Sequence, residues 1–149
     1  MKEAIFGAGC FWGVEKKFYE LDGVLETEVG YAGGTLDNPS YEKVCKGDTG
    51  HVEVVRLKYD EKKISYEDLL NFFFEIHNPT TLNRQGPDVG KQYNSTIIVF
   101  NDNQKDLAKQ KIKEMNSSNK YLQPLVTNVW DYNKYFKAEK YHQKYLFIK

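Results

Sequence analysis

Cysteine is scarce in this 149-residue sequence: Cys10 and Cys45 are its two, and His51, His77 and His142 are its three histidines. Two cysteines are too few to staple a disulfide scaffold, and no paired Cys/His spacing fits a structural zinc, so no metal site is expected. An excess of one charge sign is missing too. Lys and Arg total 21 and Asp and Glu total 21, so no global field draws the chain to nucleic acid or to an anionic membrane. No apolar run is long enough to cross a bilayer, and no early stretch has the charged-then-apolar form of a signal peptide. Those absences set the cytoplasm as the expected compartment and a small or neutral molecule as the expected partner. Internal repeats and low-complexity tracts are also lacking.

What is present suits one catalytic domain over residues 1–149, because 40% hydrophobic and 15% aromatic residues suffice for a real core. The chain organises around Gly7-Ala8-Gly9-Cys10-Phe11-Trp12-Gly13, a glycine-flexed turn carrying one thiol between an apolar run and a helical pattern. Ala4 to Phe6 reads as a short buried strand, and Phe11, Val14, Glu15, Phe18 and Tyr19 recur at helical spacing. Cys10 then stands at the helix N-terminus, where unpaired N–H groups favour a thiolate, so its pKa is expected to fall. The alternative is a small buried hydrophobe under the helix. A dinucleotide fingerprint fails by one position, since Trp12 occupies the place of the third glycine.

Gly23 suits the end of the first helix, and Val24 to Tyr31 reads as a strand. Breakers at Gly33-Gly34 and Asn38-Pro39 predict a loop excursion to Gly50, with one helical turn around Tyr41 to Lys46. Val52 to Tyr59 is extended. Ser65 and Asp68 resemble a capping box for a helix through Ile76, which Asn78-Pro79 ends. Residues 79–93 read as a long loop, functional or disordered, Ile97 to Phe100 as a central strand, and Asp102 as the cap of a helix to about Met115. Leu125 to Trp130 reads as a last strand before an aromatic, lysine-rich tail. This order predicts an α+β sandwich, a small mixed sheet with helices packed on one face.

By the two-residue period of a strand, Glu53 shares the apolar face of Val55, Leu57 and Tyr59, while Arg56 and Lys58 share the other. Desolvation there raises a carboxyl pKa and makes a general acid; the alternative is a strand-end carboxylate that reaches water or pairs with Arg56. Asp88 falls in the long loop, where an aspartate orients a proton-transfer group or stabilises a turn. Tyr41 and Tyr93 are two of eleven tyrosines, each able to donate one hydrogen bond. None of the histidines has a local signature tying it to Cys10, which argues against a Cys–His pair.

Five segments carry a resemblance to a known family. They are Gly9-Cys10-Phe11-Trp12-Gly13-Val14-Glu15, Gly30-Tyr31-Ala32-Gly33-Gly34, Tyr41-Glu42-Lys43-Val44-Cys45, Gly50-His51-Val52-Glu53, and the run from His77 to Gly86 leading to Asp88-Val89-Gly90-Lys91-Gln92-Tyr93. Together, in register over nearly the whole chain, they resemble the A-type peptide methionine sulfoxide reductases. The resemblance implies a ferredoxin-like two-layer sandwich and reduction of methionine S-sulfoxide, free or in proteins, to methionine. It implies Cys10 as nucleophile and Glu53 as the acid that protonates the departing oxygen. Tyr41 and Tyr93 would hold that oxygen, Asp88 would order the polar side, and Phe11 and Trp12 would form the aromatic wall for the S-methyl group.

Many members carry a Gly-rich C-terminal tail with resolving cysteines, which this sequence does not show. The resemblance therefore implies a sulfenic acid on Cys10 resolved by Cys45 or by an external thiol such as thioredoxin, glutaredoxin or glutathione, the external thiol being favoured. No bound cofactor is implied, and a monomer is expected. Two other classes stay open. A cysteine hydrolase or acyl transferase would use Cys10 with a histidine, and a peptide-binding module would carry an inert cysteine.

Overall fold

The computed structural model describes residues 2–147. In chain order the elements are β1 (Lys2–Gly7), α1 (Phe11–Tyr19), β2 (Val24–Ala32), α2 (Tyr41–Cys45), β3 (Val52–Tyr59), α3 (Tyr66–Glu75), β4 (Arg84–Gln85) and β5 (Asp88–Val89). After a single 3-10 turn at Lys91–Tyr93 come β6 (Thr96–Val99), α4 (Asp102–Ser117), β7 (Asn128–Asp131), β8 (Tyr135–Lys137) and a second 3-10 turn at Lys140–His142.

Six strands form one sheet in the order β7-β6-β1-β3-β2-β8. Its inner four, β6-β1-β3-β2, are antiparallel throughout and belong to a β-α-β-β-α-β unit, the ferredoxin-like arrangement. On one edge β7 runs parallel to β6, so the sheet is mixed; a parallel neighbour needs a crossover, and α4 supplies it. On the other edge β8 pairs antiparallel with β2. The register opposes Tyr31 to Glu53 and Val29 to Val55, which sends all four side chains to the same face.

That face carries the main core. Phe6, Val29, Tyr31, Val55, Leu57 and Ile97 from the strands meet Phe11 and Phe18 from α1 and Leu69, Leu70 and Phe73 from α3. Phe6 lies between Phe18 and Phe73 with ring centroids 5.2 Å from each. Burying each such ring contributes roughly 2–3 kcal/mol. The alternate residues Ile5, Val52, Val54 and Ile98 face the other side, where Phe100, Trp130 and Tyr135 cover them. Arg56 also lies there, bonded to Glu3 at 3.0 Å, and so does not pair with Glu53.

The Ser65–Asp68 capping box is present in both directions. Other boundaries differ from expectation. α1 ends at Tyr19 with Glu20 as its right-handed cap, and Gly23 (φ 97°) serves the turn into β2 instead. The cap of α4 is Asn101, whose side chain accepts from Gln104 N, with Asp102 in the first turn. Residues 79–93 are not a structureless loop, because the β4–β5 hairpin and the 3-10 turn order them. β7 starts three residues later than the apolar run, since Val126 donates outside the sheet to Pro79 O at 2.8 Å. Through residue 147 the tail docks on the core, adding β8 and seating Gln143 on Val29.

Candidate active site

The turn between β1 and α1 places Cys10 at the N-cap of α1, with no side-chain cap bond. Gly9 makes the turn possible at φ +104°, a conformation that side-chain-bearing residues rarely adopt; a Cβ there would also meet Gln85 Cγ at 2.9 Å. Cys10 is half-buried. Burial is the largest influence on its thiol and pushes the pKa up. The backbone N–H groups of Trp12 and Gly13 pull it down, as a helix start should, while the carboxyls of Glu53 and Asp88 push it up again. The balance lies above the ordinary thiol range, which corrects the expected fall. The helix-start effect is present but outweighed by desolvation and two nearby carboxyls.

Glu53, 1% exposed, projects from β3 to the helix-bearing face beneath this turn. Its Oε1 accepts the backbone N–H of Phe11, the residue after the thiol, at 3.1 Å. Its Oε2 is buried and has no partner among the described residues. Burial pushes the carboxyl up to about 8, with the Phe11 N–H opposing and Asp88 reinforcing the shift. The group is therefore mostly protonated at neutral pH, with an oxygen unengaged among the described residues and an electrostatic influence on the thiol.

Around this pair stand the other expected residues. Tyr41 opens α2 and lays its ring against Phe11 and Trp12, centroids 6.4 and 6.3 Å away. Burial raises its phenol pKa, and Glu53 adds to the rise. Tyr93 closes the first 3-10 turn, its phenol pushed up to about 12 by burial first and by Glu53 next. Asp88, on β5, acts electrostatically on Cys10, Glu53 and Tyr93. Both phenols thus stay neutral donors across the physiological range. Cys45 is exposed and faces the Tyr41 phenol and the Gln92 side chain; burial raises its thiol despite both.

No histidine is placed as a base for Cys10. His51 accepts from Gly34 N at 3.1 Å and reaches Leu36 O at 2.6 Å, bracing the excursion after β2. His77 bridges Phe73 O and Ser95 Oγ, and burial pulls its pKa down to about 4. His142 accepts the indole N–H of Trp12 at 2.9 Å. Among the described residues no three or more His, Cys, Asp or Glu gather to hold a metal ion. None of the helices there is long and apolar enough to cross a membrane.

Sequence reasoning missed the contribution of the tail. Glu139 accepts from the Tyr31 hydroxyl at 2.8 Å and from Tyr41 N at 3.0 Å. Tyr145 stacks on Trp12 with centroids 4.1 Å apart. The only signal in the sequence was the tail's aromatic content, which does not say where it docks.

The family description "Peptide methionine sulfoxide reductase" matches residues 2–149. A peptide methionine sulfoxide reductase MsrA of Pelagibacter ubique is 52% identical over 146 residues, covering 98% of each chain. The crystal structure of Mxr1 from Saccharomyces cerevisiae in reduced form superposes with a TM-score of 0.90 at 39% identity, covering 99% of this chain and 85% of that one. Mxr1 in complex with Trx2 gives a TM-score of 0.66 at 26% identity, over 97% of this chain and 84% of that one. With this likeness running the length of the chain, and a half-buried thiol set beside a protonated carboxyl, the chain belongs to the peptide methionine sulfoxide reductase family.

Proposed function

We propose that residues 1–149 act as one catalytic unit that reduces methionine S-sulfoxide, free or in proteins, to methionine through Cys10 and Glu53. The observation that carries the reading is the juxtaposition of Cys10 with Glu53, whose Oε1 is held by Phe11 N at 3.1 Å and whose Oε2 has no partner among the described residues. A protonated, unengaged buried oxygen is what an uncharged sulfoxide oxygen needs as it takes on charge.

In this mechanism the Cys10 thiolate attacks the sulfoxide sulfur and Glu53 protonates the oxygen. The oxygen passes to Cys10, methionine departs, and Glu53 recovers the proton that the thiol gave up. The sulfoxide sulfur gains two electrons and the Cys10 sulfur loses two, ending as a sulfenic acid. Tyr41 and Tyr93 donate hydrogen bonds to the oxygen, Asp88 orders the polar side, and Phe11 and Trp12 wall the S-methyl group. A first external thiol then forms a mixed disulfide with Cys10 and releases water, and a second thiol displaces Cys10 as thiol.

The complex of yeast Mxr1 with Trx2 supports a thioredoxin-type dithiol as that reductant, with glutaredoxin or glutathione as further candidates. Cys45 takes no part in this scheme. The proposal sets a monomer at work in the cytoplasm, where such thiols are kept reduced, and involves neither membrane nor nucleic acid.

A single-turnover assay with methionine S-sulfoxide and no reductant tests the reading. One methionine per chain with one thiol lost supports it. One methionine with both thiols lost redirects resolution to Cys45, and none rejects the reductase chemistry.

A further inference from the structure

We infer that His142 is a positioning residue that holds the Trp12 indole in place for substrate by accepting its N–H. This rests on the reductase reading of the site, in which Trp12 is part of the substrate wall.

Indole Nε1 can only donate, so the 2.9 Å bond from Trp12 Nε1 to His142 Nδ1 requires Nδ1 to carry the lone pair. The imidazole must then be neutral with its proton on Nε2. Its placement is rigid. His142 is 1% exposed, with its ring centroid 5.3 Å from Phe11, 5.6 Å from Trp12, 4.5 Å from Tyr41 and 4.2 Å from Tyr141. Trp12 is therefore gripped twice by one segment, through its N–H by His142 and through its ring face by Tyr145. The same segment fixes α2 by the bond from Tyr41 N to Glu139 at 3.0 Å. The wall residues of α1 and α2 thus take their position from residues that follow the last strand.

A pH dependence follows from the geometry. Protonating His142 puts a proton on Nδ1, which removes the acceptor and sets two N–H groups against each other. The hold on Trp12 is present above the His142 pKa and lost as pH falls through it. The groups facing the imidazole are Phe11 and Trp12 from α1, Tyr41 from α2, and Glu139 and Tyr141 from its own segment. Glu139 is the carboxylate among them and favours protonation, but burial outweighs it and pulls the His142 pKa below its ordinary value. Loss of the hold is expected on the acid side of the usual histidine range.

The test reads the two indole N–H resonances, Trp12 and Trp130, in the intact protein by nitrogen-15 NMR across pH. The expected result is a Trp12 resonance that titrates with the His142 imidazole while Trp130 does not follow it. In His142→Phe the Trp12 resonance moves upfield and loses that titration. KM for methionine sulfoxide should then rise about tenfold with kcat changed less than about threefold, as expected for a displaced binding wall. His142→Asn, which can return an amide oxygen as acceptor, should recover part of the KM. A Trp12 resonance that ignores the His142 titration in an active wild-type protein overturns the inference, whatever the variants do. An unchanged KM in a folded His142→Phe overturns it too. A wild-type protein without sulfoxide reduction instead overturns the reductase reading, and this inference with it.

Discussion

The backbone N–H of Phe11 donates to Glu53 Oε1 at 3.1 Å, tying the first residue of α1 to the buried strand β3 directly behind the thiol. One oxygen of the carboxyl is thereby fixed and the other left open. The arrangement costs stability, because a carboxyl whose pKa is pushed up to about 8 resists ionisation in the fold.

Glu53→Gln separates that cost from the chemistry. The native state binds the extra proton, so wild-type stability falls as pH rises from the unfolded carboxyl value, about 4.3, towards about 8. The glutamine variant retains an acceptor for Phe11 N and has no such loss. It should gain about 4–5 kcal/mol over wild type at pH 8, with little gain near pH 4. Urea unfolding at the two pH values reads the difference. Single-turnover methionine release should fall by about 10²–10⁴-fold.

The pH profile of single-turnover reduction should rise with the Cys10 thiolate fraction, level off above about pH 8 as Glu53 loses its proton, and fall only once Cys10 is itself ionised. Stopped-flow tryptophan fluorescence or quenched methionine release would follow it. Glu53→Gln should lack the alkaline fall; a fall unchanged in that variant assigns it to another group.

Lys144→Ala tests what seats the tail. Glu15 is fully buried and accepts from Thr27 Oγ1 at 2.8 Å, from Lys144 N at 2.9 Å and from Lys144 Nζ at 2.9 Å. Removing the ammonium leaves a buried carboxylate short of its counter-charge. Since Lys144 is about one-third exposed, a loss of about 2–3 kcal/mol is expected, below the full value for a closed pair. Limited proteolysis after Lys137 should become faster. An unchanged midpoint and cleavage rate would show that the contacts of Glu139, His142, Gln143 and Tyr145 seat the segment without Lys144.

Cys45→Ser should leave turnover with a thioredoxin-type reductant within about threefold of wild type, because an external thiol resolves Cys10. Steady-state assays with thioredoxin and its reductase check this. A collapse to a single turnover would assign the resolving step to Cys45.

Much of the site was legible because its partners lie on short, regular elements. The two-residue period of β3 put Glu53 on the core face, and the 1% exposure there agrees. The helical spacing after Cys10 placed the thiol at a helix start. The direction of the Cys10 shift was not legible. A helix terminus is a local feature, whereas burial and the charges of Glu53 and Asp88 come from β3 and β5, remote in sequence. The order within residues 79–93 was hidden for the same reason: it depends on a two-residue hairpin and on bonds such as Asn83 N to Asn94 Oδ1 at 2.6 Å, which carry no periodic signal.

By itself the sequence determined the longer helices and central strands, the inward face of β3, the α+β class and a desolvated carboxyl at Glu53, because local spacing and side-chain type carry those properties, whereas the pairing of Glu53 with Cys10 came from the resemblance to the reductase family. Tertiary structure alone decided that β8 closes the sheet beside β2, that Glu139 binds the start of α2, and that His142 rather than water meets the Trp12 indole. Those contacts join residues about a hundred positions apart or more, and they form only after the sheet has brought its edges round to the thiol.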